Sequence, residues 1–253
     1  MTPIIKTDKE IQAMREGGKM LKSVLLLLEK TVEPGMSTKF LADIAKQELK
    51  NYGVKPAFLG YYGFPDVICI SLNDEVVHGI PSEKRIIQRG DIVSFDFGIL
   101  HKDMITDGAI SVVVGKLDPE VKKLVEKTRE SLRAGLNILK DGVQVGSLGA
   151  RISDVLEEAG LGVVKQFVGH GVGHSLHEAP EIPNYGHKNT GPVLCAGMTI
   201  AVEPMATLGG EDVFIDKDGW TVKTKDGSLS AHFEDTILIT KTGVEILTSS
   251  NKT

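Results

Sequence analysis

The sequence predicts an α+β fold in which helices cover a mostly antiparallel, curved sheet. Four segments read as helices from apolar spacing or from cap and stop signals, and five others are rich in β-branched and apolar residues. No Pro- or Ser-rich linker and no low-complexity tract separates them. A chain of 253 residues can bury a sizeable core, and a single domain over residues 1–253 is expected.

The first helix is expected to start at Thr7, which has capping-box spacing to Glu10. Ile11, Met14, Leu21, Val24, Leu25 and Leu28 then recur on one face, and Pro34-Gly35 ends the run. A second helix should begin at Ser37, turn Phe40, Leu41, Ile44, Ala45 and Leu49 inward, and stop near Gly53. A third has Asp118 as N-cap and Pro119 at the first helical position, and runs to about Leu139. A fourth runs from about Ser147 to Ala159 and stops at Gly160-Leu161-Gly162. Strands are expected at Val67 to Leu72, Ile92 to Leu100, Met104 to Val114, Thr199 to Ala206 and Glu234 to Thr240. Gly90 to Asp96 faintly echoes Gly197 to Glu203: each has a glycine followed six residues later by a carboxylate at the end of an apolar run. Chance could produce this, as could two pseudo-symmetric halves delivering acids to one centre.

Several classes of function are unsupported. The net charge is −5 with no block of like basic charges, so nucleic acid has no electrostatic footprint. The longest apolar run, Val24 to Leu28, is far too short to span a bilayer. Met1-Thr2-Pro3-Ile4-Ile5-Lys6 lacks a signal-peptide layout. With only Cys69 and Cys195, a disulfide framework is not expected, and a reducing cytoplasm is the default location.

The chemistry lies in acids placed where a core should be. Asp96 sits inside Ile92 to Leu100, and Asp107 inside Met104 to Ile110. A hairpin turning around His101-Lys102 would set Asp96 opposite Asp107, with Cβ atoms about 4.5–5.5 Å apart. Bare carboxylates there repel until one protonates, and a divalent cation between them removes the conflict. His101-Lys102-Asp103 lacks the favoured Asn-Gly or Asp-Gly of such turns, so the two acids would also suit solvated turn aspartates. Glu203 follows Thr199-Ile200-Ala201-Val202, and Glu234 leads into Thr236 to Ile239. Either alone reads as a strand-end surface residue; four such acids together point to a shared site. Gly169 to Glu178 holds His170, His174 and His177 among three glycines, a composition hostile to helix and suited to close backbone approach, or to a flexible loop. His78 is a weaker signal by itself. Four carboxylates with a histidine suit metal-assisted hydrolysis at two metals. His-Glu-x-x-His, Walker A and Gly-x-Ser-x-Gly motifs are all missing.

At these residues the sequence resembles the type I methionine aminopeptidases over nearly its whole length. The likeness is strongest at Gly169 to Glu178, Ala201 to Pro204 and Gly219 to Glu234, and extends to Glu245-Ile246-Leu247-Thr248. The resemblance implies the pseudo-symmetric pita-bread fold, removal of the initiator methionine from nascent polypeptides when the next residue is small, and a monomer acting near the ribosome. It implies two divalent ions, among Co, Mn, Fe, Zn and Mg, held by Asp96, Asp107, His170, Glu203 and Glu234. Asp107 and Glu234 would bridge, Asp96 would complete one site, and His170 with Glu203 the other. A water or hydroxide bridging the ions would be the nucleophile, Glu203 the general base, His177 the oxyanion donor and His78 the contact to the scissile amide. Tyr61, Phe64, Cys69, Leu176 and Trp220 would line the methionine pocket, although Cys69 also suits a small buried hydrophobe and Tyr61 and Trp220 suit ordinary packing.

The chain departs from the family pattern at several points. Gly98 and Gly108 stand where threonines are usual, removing possible hydrogen bonds to the metal carboxylates. Asp235 replaces a frequent histidine, and Phe64 and Leu176 stand where Tyr and Phe are common. Asp96-Phe97-Gly98 looks more like the related Xaa-Pro peptidases, the main enzymatic rival; Gly219 to Glu234 argues against it. A non-catalytic binding protein on the same fold, or a domain whose acids are purely structural, would also be compatible with these residues. A metal site predicts that the chelator-stripped protein binds two divalent ions and melts higher with them. A melting temperature indifferent to metal in calorimetry would assign the acids a structural role.

Overall fold

The computed structural model describes residues 4–115 and 118–249; Met1-Thr2-Pro3, part of the segment read for a signal peptide, lie outside them. Four helices form where capping and periodicity placed them: α1 (Asp8–Thr31), α2 (Thr38–Tyr52), α3 (Pro119–Ile138) and α4 (Val145–Glu158). Thr7 and Glu10 make a full capping box, Ser37 caps α2, Gly53 closes it in the left-handed region, and Asp118 caps α3 ahead of Pro119. No helix among the described residues is long and apolar enough to cross a membrane. Phe40 does not face inward as expected; it is 50% exposed. The buried stripe of α2 is Thr38, Leu41, Ala42, Ala45 and Leu49, which leaves Phe40 on its flank.

The strands that matter for the site are β1 (Cys69–Leu72), β2 (Ile92–His101), β3 (Met104–Val113), β4 (Gly169–Gly171), β5 (Glu178–Ile182), β6 (Thr199–Val202) and β7 (Glu234–Ile239). They belong to one sheet, nine-stranded among the described residues, in the order β1-β2-β3-β7-β6-β4-β5, with every pairing antiparallel. α1 packs against β2 and β3 on one face. The two hairpin strands are paired along their whole length, and their alternation sends Phe97, Ile99 and Thr106 to the helix side and Asp96 and Asp107 to the other.

Two expectations are corrected here. The β2–β3 turn is Lys102-Asp103, not His101-Lys102, so Asp96 opposes Ala109 and Gly98 opposes Asp107. Both turn residues have positive φ (49° and 63°), the backbone of a type I′ hairpin achieved without glycine. The two acids still share a face, as diagonal neighbours across small residues. The expected strand Thr199 to Ala206 is broken. β6 ends at Val202, and Met205–Thr207 joins a separate three-stranded sheet with Ser230–His232 and Gly162–Val163. Pro204 has no N–H to donate to a continuous ladder, so the chain changes sheets at Glu203-Pro204. It changes back at Phe233, immediately before β7.

The faint echo in the sequence is a real internal symmetry. Gly35 and Gly142, Gly53 and Gly160, and Gly90 and Gly197 all have positive φ, and each pair is 107 positions apart, as are Asp96 and Glu203. Gly35 N–H donates to Ile87 O, and Gly142 N–H to Leu194 O; isolated bridges Ser37–Ile86 and Gln144–Val193 repeat the same spacing. β2-β3 and β6-β7 therefore meet back to back at the β3–β7 seam.

α1 is locked at its middle by Gly18, where an added Cβ would lie 2.2 Å from Leu247 O. Gly18→Ala should destabilise the protein by about 2 kcal/mol or more despite the gain of about 1 kcal/mol in helix propensity. Gly17→Ala, whose Cβ would lie 3.3 Å from Thr106 Oγ1, should have a much smaller effect. Urea denaturation of both variants checks the pair.

Candidate metal centre and pocket

The face of the sheet turned away from α1 carries a cluster of buried acids. Asp96 (β2), Asp107 (β3), Glu234 (start of β7) and Glu203 (end of β6) come from four adjacent strands. Ligand atoms of Asp107, His170 and Glu234 all lie within 4.8 Å of one another. His170 Nε2 is 3.6 Å from Glu203 Oε1. Its Nδ1–H donates to Gly171 O at 2.9 Å, which leaves Nε2 as a bare lone pair facing the acids. Asp96 Oδ1 and Glu234 Oε1 are buried with no hydrogen-bond partner among the described residues.

Burial dominates the electrostatics. It pushes the Asp107 carboxyl up to about 7, and lifts Asp96, Glu203 and Glu234 well above the carboxylate range, with mutual repulsion adding to each of those three. Burial holds His170 down to about 3 and His78 to about 4, and also lowers His177, so these imidazoles are neutral at pH 7. Unpaired buried acids facing a neutral imidazole lone pair form a donor set short of positive charge. Divalent cations fit it, since oxygen and imidazole ligands suit several of them.

One cavity of about 240 Å³ gathers the twelve residues expected as ligands, catalytic groups or pocket lining: His78, Asp96, Asp107, His170, His177, Glu203, Glu234, and Tyr61, Phe64, Cys69, Leu176 and Trp220. The acids form one end. Phe64 and Trp220 stack edge to face at 5.1 Å at the apolar end, and Cys69 is fully buried with its thiol held protonated by desolvation. Tyr61 does more than pack, because its hydroxyl is 2.8 Å from His177 Nδ1. His78 has φ of +62°, an uncommon backbone for a non-glycine residue at a site. His174 is excluded from the cavity and pairs with Glu10 at the α1 N-terminus.

Sequence reasoning missed Phe58 and Tyr62, which also line the cavity, and His232, which stands directly behind Glu203 at 3.5 Å. The alternation of Ser230 to Glu234 was the available signal for His232, because residues two apart along an extended chain face the same way.

The model of metallopeptidase family M24 matches residues 12–241. The chain belongs to this family. It is 43% identical to a methionine aminopeptidase of Clostridium acetobutylicum, covering 97% of this chain and 98% of that one. A methionine aminopeptidase of Thermotoga maritima of solved structure superposes with a TM-score of 0.97 at 42% identity, covering 98% and 100% of the two chains. An Xaa-Pro dipeptidase of Bacillus anthracis is more distant within the fold, with a TM-score of 0.80 at 25% identity; 99% of this chain matches 63% of it. The architecture is thus the pita-bread fold, and the likeness to methionine enzymes outweighs the Asp-x-Gly clue.

Without divalent ions, an Asp107 pKa of about 7 against an unfolded value of about 3.9 means stability that is present at pH 4 and lost as the pH rises through 7. Under chelator, Asp107→Asn should therefore gain on the wild type between pH 4 and about pH 7 and level off above it. Adding Mn²⁺ at pH 7.5 should reverse the order, and differential scanning calorimetry across that range reads both signs.

Proposed function

We propose that this chain is a metal-dependent aminopeptidase that removes the initiator methionine from nascent polypeptides when the second residue is small. The observation that carries the reading is the convergence of four buried carboxylates and the His170 lone pair at one end of an apolar pocket sized for a single side chain. Asp96, Asp107, His170, Glu203 and Glu234 would hold two divalent ions, among Co, Mn, Fe, Zn and Mg. Such ions supply Lewis acidity toward the scissile carbonyl and lower the pKa of water.

The chain's own residues supply the rest. Phe64, Cys69, Leu176 and Trp220 make an apolar sleeve for an unbranched thioether. Tyr61 Oη can donate to His177 Nδ1, which fixes the tautomer with Nε2–H available to a developing oxyanion. His78, neutral and buried, contacts the scissile amide and assists the departing amine. Glu203 accepts the proton of the attacking water and passes it to the amine. The domain acts as one catalytic unit over residues 1–253, as a cytoplasmic monomer that meets its substrates at or near the ribosome, with no direct contact to nucleic acid or membrane.

Cleavage of Met-Ala-Ser, Met-Lys-Ser and Ala-Pro-Ser with Mn²⁺ or Co²⁺, with and without chelator, tests the reading. Methionine should be released from Met-Ala-Ser alone and only without chelator. Glu203→Gln should lower kcat by about 10²-fold or more. Preferential cleavage of Ala-Pro-Ser would replace the methionine reading with the Xaa-Pro one, and no cleavage by folded, metal-loaded protein would favour a binding protein.

A further inference from the structure

His232 has no part in the scheme above, yet its setting is unusual. It is 1% exposed, and neither Nδ1 nor Nε2 has a hydrogen-bond partner among the described residues. A buried imidazole normally satisfies at least its N–H. Glu203 Oε2 lies 3.5 Å from Nε2.

Glu203 is thus flanked by two imidazoles at similar distances but with opposite chemistry. His170 meets Oε1 at 3.6 Å, and its Nδ1–H is committed to Gly171 O, so the Nε2 that faces Oε1 has no proton to give. With Glu203 ionised, two lone pairs would face each other there, a conflict that a cation between them removes. His232 has no such commitment at Nδ1, so its Nε2 is free to carry the hydrogen. The backbone that carries the ring is also well anchored. His232 N–H donates to Ser111 Oγ at 2.8 Å, Ser111 Oγ donates to His232 O at 2.9 Å, and Ser94 Oγ lies 2.6 Å from Ser111 Oγ. The backbone of His232 pairs with Met205, two residues after Glu203.

We propose that His232 is a positioning residue for Glu203: its Nε2–H donates to Oε2 and fixes the carboxylate so that Oε1 is the oxygen presented beside His170. The proposal rests on the reading of Glu203 as a metal-site carboxylate. It gives the two oxygens different duties, Oε1 toward the cation and Oε2 toward a protein donor. Glutamine at 232 keeps a donor within reach, whereas leucine keeps the bulk without one.

The test compares wild type, His232→Leu and His232→Gln, each stripped with chelator and titrated with MnCl₂ by calorimetry. His232→Leu should weaken Mn²⁺ binding by about 10- to 100-fold, the loss usual when a ligand's supporting hydrogen bond is removed. His232→Gln should recover most of that loss. In cleavage of Met-Ala-Ser, His232→Leu should lower kcat more than it raises KM. ¹⁵N spectra of the wild-type imidazoles should show His232 as the Nε2–H tautomer, with its resonance moving in Glu203→Gln. Unchanged Mn²⁺ affinity in His232→Leu, or equal losses in the leucine and glutamine variants, would overturn the proposal. So would an Nδ1–H tautomer, which decides the matter even if the leucine variant does not fold. Failure of the wild type to cleave any peptide would instead defeat the aminopeptidase reading, while the tautomer and metal titrations would still decide the role of His232.

Discussion

Four carboxylates held within one buried cluster are the constraint to which much of this structure answers. Left to themselves, Asp96, Asp107, Glu203 and Glu234 would repel, and burial already lifts each above its ordinary ionisation range. They stay together because the backbone rather than their own side chains fixes them, three through strand pairing and Glu203 through the sheet break beside it. Asp96 and Asp107 are set by the register of one hairpin, and Glu234 by pairing with Ala109. Glu203 stands where Pro204 turns the chain out of the sheet. The sheet thereby holds together acids whose electrostatic cost a divalent cation would relieve.

Internal symmetry explains how one chain delivers these acids to one place. Each half contributes two helices, a positive-φ glycine turn, and a strand carrying a carboxylate toward the β3–β7 seam. The halves differ where the site needs asymmetry. The second supplies His170 and His177 from β4 and the segment after it, while the first supplies His78, Tyr61 and most of the apolar wall.

The glycines that depart from the family pattern have a packing reason. A side chain at Gly108 would meet Leu21 Cδ2 at 3.0 Å, and one at Gly98 would meet Ala57 Cβ at 3.0 Å and Phe58 Cε1 at 3.2 Å. Neighbouring side chains occupy the space a threonine would need. Asp96 Oδ1 has no protein donor among the described residues, but Asp107 Oδ1 accepts from the Gly108 N–H at 3.0 Å. Asp235, in place of a frequent histidine, accepts from Thr248 Oγ1 and so ties the C-terminal segment to β7 on the helix side.

Local chemistry was legible in the sequence because it is written within a few residues. The Thr7 capping box, the Asp118-Pro119 start and the Gly53 stop each depend on neighbours in the chain, and the identities of the acids and histidines could be read from motifs alone. What depends on residues far apart was not legible. The hairpin register hung on whether Lys102 and Asp103 would adopt positive φ, which their side chains do not advertise. The break at Pro204 hung on a second sheet being present to receive Met205–Thr207. The sequence by itself therefore determined which groups are the candidates for the chemistry. Only the tertiary structure decided that His170 and His177 face the cavity while His174 turns to Glu10, and that His232 stands behind Glu203, because those outcomes depend on which distant strand or helix end each side chain meets.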